Sequence, residues 1–166
     1  MTATTTGTTG TTTGAPAARM THPATVLPGA MAALLALGRA VEDGPVPHRT
    51  HKLLQLRASQ INGCGLCVDL HARELRAADV PEEVVWAVAA WRESPHFTDA
   101  ERAALALTES VTRLADRAEA VPDEVWDAAA DVFDETELAA LLVSIASINL
   151  WNRLNAATRQ PAGQRW

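Results

Sequence analysis

Ser59-Gln60-Ile61-Asn62-Gly63-Cys64-Gly65-Leu66-Cys67-Val68-Asp69-Leu70-His71 holds both cysteines of the chain, set as Cys-x-x-Cys, with a histidine four residues after the second. Asn62-Gly63 is a turn signal between two stretches of helical character. The stretch therefore predicts one helix over about His48 to Gln60 and a new one that begins near the cysteines and runs to about Ala78. On that second helix, positions 64, 67 and 71 are spaced i, i+3, i+7 and share one face. The cysteines fall in the first turn, where unpaired amides and the helix dipole favour a thiolate over a thiol. A free cysteine titrates at about 8.5, and a helix N-terminus or a nearby imidazolium lowers that value. His71, one turn beyond Cys67, is placed to exchange a proton with it.

Outward from this segment the signals remain helical. Met31, Leu34, Leu35 and Leu37 mark a first helix over Pro28 to Val41, stopped by Gly44-Pro45 and Pro47. Asp79-Val80-Pro81-Glu82-Glu83 opens a helix with proline and acids in its first turn, followed by Val84, Val85, Val88 and Trp91. Thr98-Asp99-Ala100-Glu101 is a capping box for a long helix to about Ala115. Val121-Pro122-Asp123-Glu124 opens a short helix. Asp134-Glu135-Thr136-Glu137 opens the last, with Leu138, Leu141, Leu142, Ile145 and Ile148 as its buried stripe. No segment alternates with a period of two, and tyrosine is absent. The expected fold is all-α, with about seven helices and short connections.

A chain of 166 residues, 48% hydrophobic, is long enough for one domain with its own core. A net charge of −6 argues against nucleic-acid and anionic-membrane partners. No apolar run approaches the roughly 20 residues of a membrane span. Residues 1–20, rich in threonine and glycine, read as a disordered tail before a domain over 21–166, and Met20 is a second candidate start. No secretory signal is evident, so the expected location is cytoplasmic. There a Cys-x-x-Cys pair is catalytic or metal-binding more often than a structural staple.

Taken alone, the residues leave three readings open: a redox dithiol, two inert core cysteines, or a zinc site completed by His48, His51 or His96. Asn149, Asn152 and Arg153 form a polar patch on the last helix, expected to satisfy buried backbone groups or a partner such as Glu109. Glu93, Glu101 and Glu109 read as caps or ion-pair members. Trp86, Trp91, Trp126 and Trp151 read as core or interface anchors.

Arg57 to Cys64, Cys67-Val68-Asp69-Leu70-His71, Trp91-Arg92-Glu93-Ser94, Phe97-Thr98, Glu101 to Leu105, Thr108-Glu109 and Asn149 to Arg153 together make the chain resemble a known family. It is the alkylhydroperoxidase D-like (AhpD-like) branch of the carboxymuconolactone decarboxylase family, and the resemblance covers about residues 20 to 160. It implies an AhpD-like helical bundle with the Cys-x-x-Cys at a helix N-terminus, assembled as a homo-oligomer, a trimer or hexamer. It implies an antioxidant peroxidase that reduces hydroperoxides through a Cys64/Cys67 dithiol-disulfide cycle, with Cys67 peroxidatic, Cys64 resolving and His71 in the proton relay. A thioredoxin-like or lipoyl protein would return the electrons, and no cofactor or metal is called for.

The family pattern usually has a relay glutamate twelve residues before the first cysteine, where this chain has Lys52. A lysine with a pKa of about 10.4 is a poor proton acceptor unless desolvated. His48, Gln55, Ser59 and Asn62 are the other relay or pocket candidates. Two further readings stand beside the peroxidase: a decarboxylase-like enzyme that does not use the cysteines, and a redox sensor whose relay is lost at Lys52.

Overall fold

The computed structural model describes residues 17–116 and 118–163, and among them it contains helices and no strand. The α-helices are α1 (Pro23–Val26), α2 (Ala30–Glu42), α3 (His48–Ile61), α4 (Gly65–Ala77), α5 (Glu82–Ala87), α6 (Asp99–Thr112), α7 (Asp123–Ala130) and α8 (Glu135–Thr158). No helix among the described residues is long and apolar enough to cross a membrane.

The helix starts lie where the capping chemistry puts them. Thr98 and Glu101 cap α6 reciprocally, and Asp134 and Glu137 do the same for α8, each side chain taking one otherwise unpaired amide. Proline precedes α3, α5 and α7, where its fixed φ suits helix entry and its missing N–H removes no helical bond.

The structure departs from the sequence expectation at four places. The short α1 is an additional turn, capped by the His22 side chain accepting from Ala24 N. The element after Pro81 does not run as one helix: α5 ends at Ala87 and continues as a 3-10 turn over Val88–Glu93, with Ala90 at φ −124°. That break leaves both Val88 and Trp91 buried. Of the tryptophans among the described residues, only Trp91 is buried in the core, while Trp86 is 69% exposed. Of the expected tail, residues 1–16 lie outside the described residues, whereas Arg19 donates from N to Thr158 O at 2.8 Å and from Nη1 to Ala157 O at 2.9 Å.

Helix α3 is the centre of the bundle and packs against α4, α6 and α8. It is buried nearly all round. Leu54 enters one apolar cluster with Leu107, Leu141 and Ile145, while Leu53 and Leu56 enter a second with Leu75, Val88 and Leu105. Its Arg57 donates to buried Glu109 of α6 at 2.8 Å, joined there by Arg92 at 2.6 Å and Trp91 Nε1 at 3.0 Å. Burial alone would push the Glu109 carboxyl up, but the three donors outweigh it and hold the group below its usual range. Glu109 is thus an ion-pair member, as the sequence suggested, and it clamps α3 to α6 two residues before the segment that positions the cysteines.

Leu54, fully buried where the larger cluster meets α3, is the sharpest test of this packing. Leu54→Ala should cost about 2–5 kcal/mol of unfolding free energy in urea titration with little change in the slope. A cost below about 1 kcal/mol would mean that α3 is not the helix on which the others pack.

Candidate active site

Gly63 determines where the cysteines sit. It ends α3 in the left-handed conformation, φ +66°, which a side chain would strain. Cys64 N then bonds back to Ser59 O at 3.0 Å and Gly63 N to Gln60 O at 3.3 Å, the paired closure of a Schellman turn. The same Cys64 is the N-cap of α4, its Sγ accepting from Cys67 N at 3.3 Å. One residue therefore closes one helix and opens the next, and Cys64 and Cys67 are joined as a disulfide.

A polar lattice from α8 holds this turn. Asn62 Nδ2 donates to Asn149 Oδ1 and to Asn152 Oδ1, both at 2.9 Å. Asn152 Nδ2 donates to Ser59 Oγ at 3.0 Å, and Ser59 Oγ donates to Gln55 O at 2.7 Å. Asn149 also donates to Ile145 O at 2.9 Å and to Thr112 at 3.1 Å, while Arg153 donates to Asn149 O at 3.0 Å. The patch therefore satisfies backbone groups as expected. Its side-chain partners are Asn62, Ser59 and Thr112, with Glu109 engaged elsewhere.

Next to the disulfide lies a cavity of about 480 Å³. Its wall is mainly apolar, formed by residues such as Met31, Leu35, Leu66, Ile148 and Trp151, with Cys67, Lys52, Gln55, His71, Glu74 and Asn155 as polar or reactive members. Cys67 lines this space. Cys64, 1% exposed, does not.

A chain of charges runs along one side. Lys52 is 5% exposed, so it does not reach into solvent. Its Nζ lies 2.7 Å from Glu42 Oε1 of α2 and 3.3 Å from Glu74 Oε2 of α4. His71 Nδ1 lies 2.8 Å from that same Glu74 oxygen. With Nδ1 held by the carboxylate, Nε2 is the nitrogen left to exchange protons in the cavity. Burial pushes the Glu74 carboxyl up, but the hydrogen bond and charge of His71 and the ammonium of Lys52 outweigh it and bring its pKa down to about 2. On the far side of Cys67, Asn155 Nδ2 of α8 lies 3.4 Å from Sγ.

The structure thus brings Cys67, His71, Lys52 and Gln55 to one cavity, with Ser59 and Asn62 in the lattice behind it. His48 is exposed and does not line it. Among the described residues no group of three or more His, Cys, Asp or Glu side chains is placed to hold a metal ion. Glu42, Glu74, Asn155 and His22 escaped sequence reading. A helical signal existed for two of them: Glu74 lies three residues after His71, and Asn155 continues the three-residue spacing of Asn149 and Asn152.

Residues 28–110 match the carboxymuconolactone decarboxylase family. The uncharacterized protein YdfG of Bacillus subtilis is 29% identical over 140 residues, 84% of this chain and 94% of its own. A crystal structure of a protein of unknown function from Agrobacterium tumefaciens, provisionally an antioxidant defence protein AhpD, superposes with a TM-score of 0.83 at 34% identity, covering 90% of this chain and 100% of its own. The alkyl hydroperoxide reductase AhpD of Bradyrhizobium diazoefficiens is 53% identical over 34 residues, 20% of this chain and 19% of its own.

The depressed Glu74 carboxyl carries a pH signature. A group bound to fewer protons folded than unfolded stabilises the fold fully above its ordinary pKa of 4.5, and that contribution drains away as pH falls towards about 2. Unfolding free energy measured across that window should therefore fall less steeply in Glu74→Gln than in the native chain. Identical slopes would show that Lys52 and His71 do not hold the carboxylate.

Proposed function

From its membership of the carboxymuconolactone decarboxylase family, we propose that this chain is an antioxidant enzyme that reduces organic hydroperoxides through a Cys64–Cys67 dithiol cycle. The observation that carries the reading is the placement of Cys67. It is the half of the Cys-x-x-Cys pair that faces the apolar cavity, one helical turn from a histidine held by a carboxylate.

The Cys67 thiolate attacks the outer oxygen of the hydroperoxide. The O–O bond breaks, the alkoxide takes a proton from His71 and leaves as an alcohol, and the sulfur becomes a sulfenic acid. The Cys64 thiol then displaces water from that sulfenic acid, giving the disulfide. An external dithiol attacks Cys67, Cys64 leaves, and exchange is completed as the reductant becomes a disulfide. The amide of Cys67, which already meets Cys64 Sγ, favours Cys64 as the leaving thiolate. His71 passes its proton along Nε2, while Glu74 fixes the ring through Nδ1. Glu74 on α4 would then fill the carboxylate role expected at position 52, with His71 and Lys52 together keeping that carboxylate ionised. The cavity walls suit an alkyl or aryl group. Leu35, half-exposed on α2 at the cavity, is where a second copy of the chain would close the pocket in the proposed homo-oligomer.

Intact mass and peptide mapping of the reduced protein, before and after one equivalent of cumene hydroperoxide, test the cycle. The expected result is loss of two hydrogens, mapped to Cys64–Cys67, within seconds. Cys67→Ser should abolish the reaction, and Glu74→Gln should slow it at least tenfold, a loss of more than about 1.4 kcal/mol in transition-state stabilisation. An unchanged mass, or slow over-oxidation without a disulfide, would overturn the peroxidase reading. Activity surviving Cys67→Ser would point to cysteine-independent chemistry.

A further inference from the structure

The His71 side of Cys67 belongs to the cycle above, but the sulfur has a second neighbour that the cycle leaves unused. Asn155 is 5% exposed, and its Nδ2 lies 3.4 Å from Cys67 Sγ. An asparagine amide can present either its N–H or its carbonyl oxygen, and only the N–H stabilises a thiolate. Something has to decide which end faces the sulfur.

His22 makes that decision through its tautomer. Its ring is 3% exposed and caps α1, with Nδ1 accepting from Ala24 N at 3.2 Å. A nitrogen that accepts carries no hydrogen, so the neutral ring holds its proton on Nε2. The His22 side chain also meets that of Asn155. Asn155 Oδ1 is buried and has no other partner among the described residues. A donor Nε2–H calls for the carbonyl oxygen opposite it, which turns Nδ2 towards Cys67. Trp151, a wall of the cavity, stacks on the His22 ring with centroids 5.5 Å apart and limits its rotation. Burial lowers the pKa of His22 and favours this neutral form, although the contact with Asn155 acts the other way.

We propose that His22 and Asn155 form a directed hydrogen-bond relay, from Ala24 N–H through the His22 ring to the Asn155 amide, that holds Cys67 Sγ as a thiolate. Asn155 touches the reacting sulfur and is the catalytic member. His22 acts only through Asn155 and is a positioning residue. The proposal rests on Cys67 being the reactive sulfur, and it adds that the nucleophile is prepared from α8 and the segment before α1. The helix that carries the cysteines is not its sole source of activation. The other charged or titratable groups lining the cavity with Cys67 are Glu42 from α2, Lys52 from α3, and His71 and Glu74 from α4. All of these remain in place in the variants below.

The test uses a Cys64→Ser background, in which Cys67 is the single thiol and the serine Oγ can take over the N-cap acceptor role of Cys64 Sγ. The rate of iodoacetamide alkylation is followed against pH, with thermal unfolding as a check on folding. Asn155→Ala should raise the apparent thiol pKa by about one unit, cutting alkylation near pH 7 roughly fivefold to tenfold. His22→Asn keeps an acceptor for Ala24 N but cannot reach Asn155, so it should give a similar shift without loss of the fold. Asn155→Asp, which sets a carboxylate against the sulfur, should raise the pKa further. The double variant of His22→Asn and Asn155→Ala should add little to Asn155→Ala alone. An unmoved alkylation midpoint in Asn155→Ala, with or without a drop in Tm, would overturn the proposal, as would a shift in Asn155→Ala with none in His22→Asn. No peroxide enters the measurement, so its failure and the failure of the peroxidase reading are separate results.

Discussion

An ammonium group buried in the central helix is the constraint from which the site follows. Lys52 sits in α3 immediately before the leucines that feed two apolar clusters, and it is itself buried, so an unmatched charge there would be strongly destabilising. It is matched from both sides, by Glu42 at the end of α2 and by Glu74 on α4. Those two contacts bind α2 and α4 to α3 along one line. The space left between α2, α4 and α8 above that line is the cavity. The carboxylate that neutralises Lys52 is also the one that orients His71. Docking of the helices and polarisation of the imidazole are therefore one interaction, and neither can be altered without the other.

A second constraint is the reversal between α3 and α4. The chain must turn within Asn62-Gly63 while placing a cysteine at a helix start, and the left-handed Gly63 with its two back-bonds achieves this. Such a turn leaves the polar side chains of Ser59 and Asn62 close to the interior. The asparagines of α8 answer them with hydrogen bonds of 2.9 to 3.0 Å. The polar face of α8 is thus a cradle for the turn, and its next member along the helix, Asn155, reaches the sulfur itself.

Local chemistry was legible in the sequence, and long-range partnership was not. Thr98 with Glu101, Asp134 with Glu137, and the prolines before helices are signals complete within four residues, and each lies where it was read. The common face of Cys67 and His71 follows from helical spacing alone, whereas Cys64, read onto the same face, is the extended N-cap one residue before α4 and does not line the cavity. Lys52 could be seen to depart from the family pattern, but its two carboxylates lie ten residues before it and twenty-two after it. No local rule distinguishes them from solvated acids on a helix surface. His22 was invisible for a similar reason, since α1 is a four-residue turn and the ring's importance lies in a contact with the far end of α8. Trp86 and Trp126 looked like anchors by residue type alone. Type does not say which way a side chain faces: both are exposed, which corrects the core half of the core-or-interface reading.

The exchange of charge at position 52 bears on how such a site keeps its chemistry. A histidine relay needs an acceptor beside one ring nitrogen, but the helix that supplies the acceptor is immaterial to the proton. With lysine on α3, a carboxylate on α4 three residues after His71 meets the ring at Nδ1 from within the histidine's own helix. Against the cost of its burial, His71 first and the lysine second hold that carboxylate ionised, so the acceptor stays charged at neutral pH. In the proposed cycle this has a kinetic consequence. The acceptor does not titrate anywhere near neutral pH, so it adds nothing to the pH response of turnover in that range.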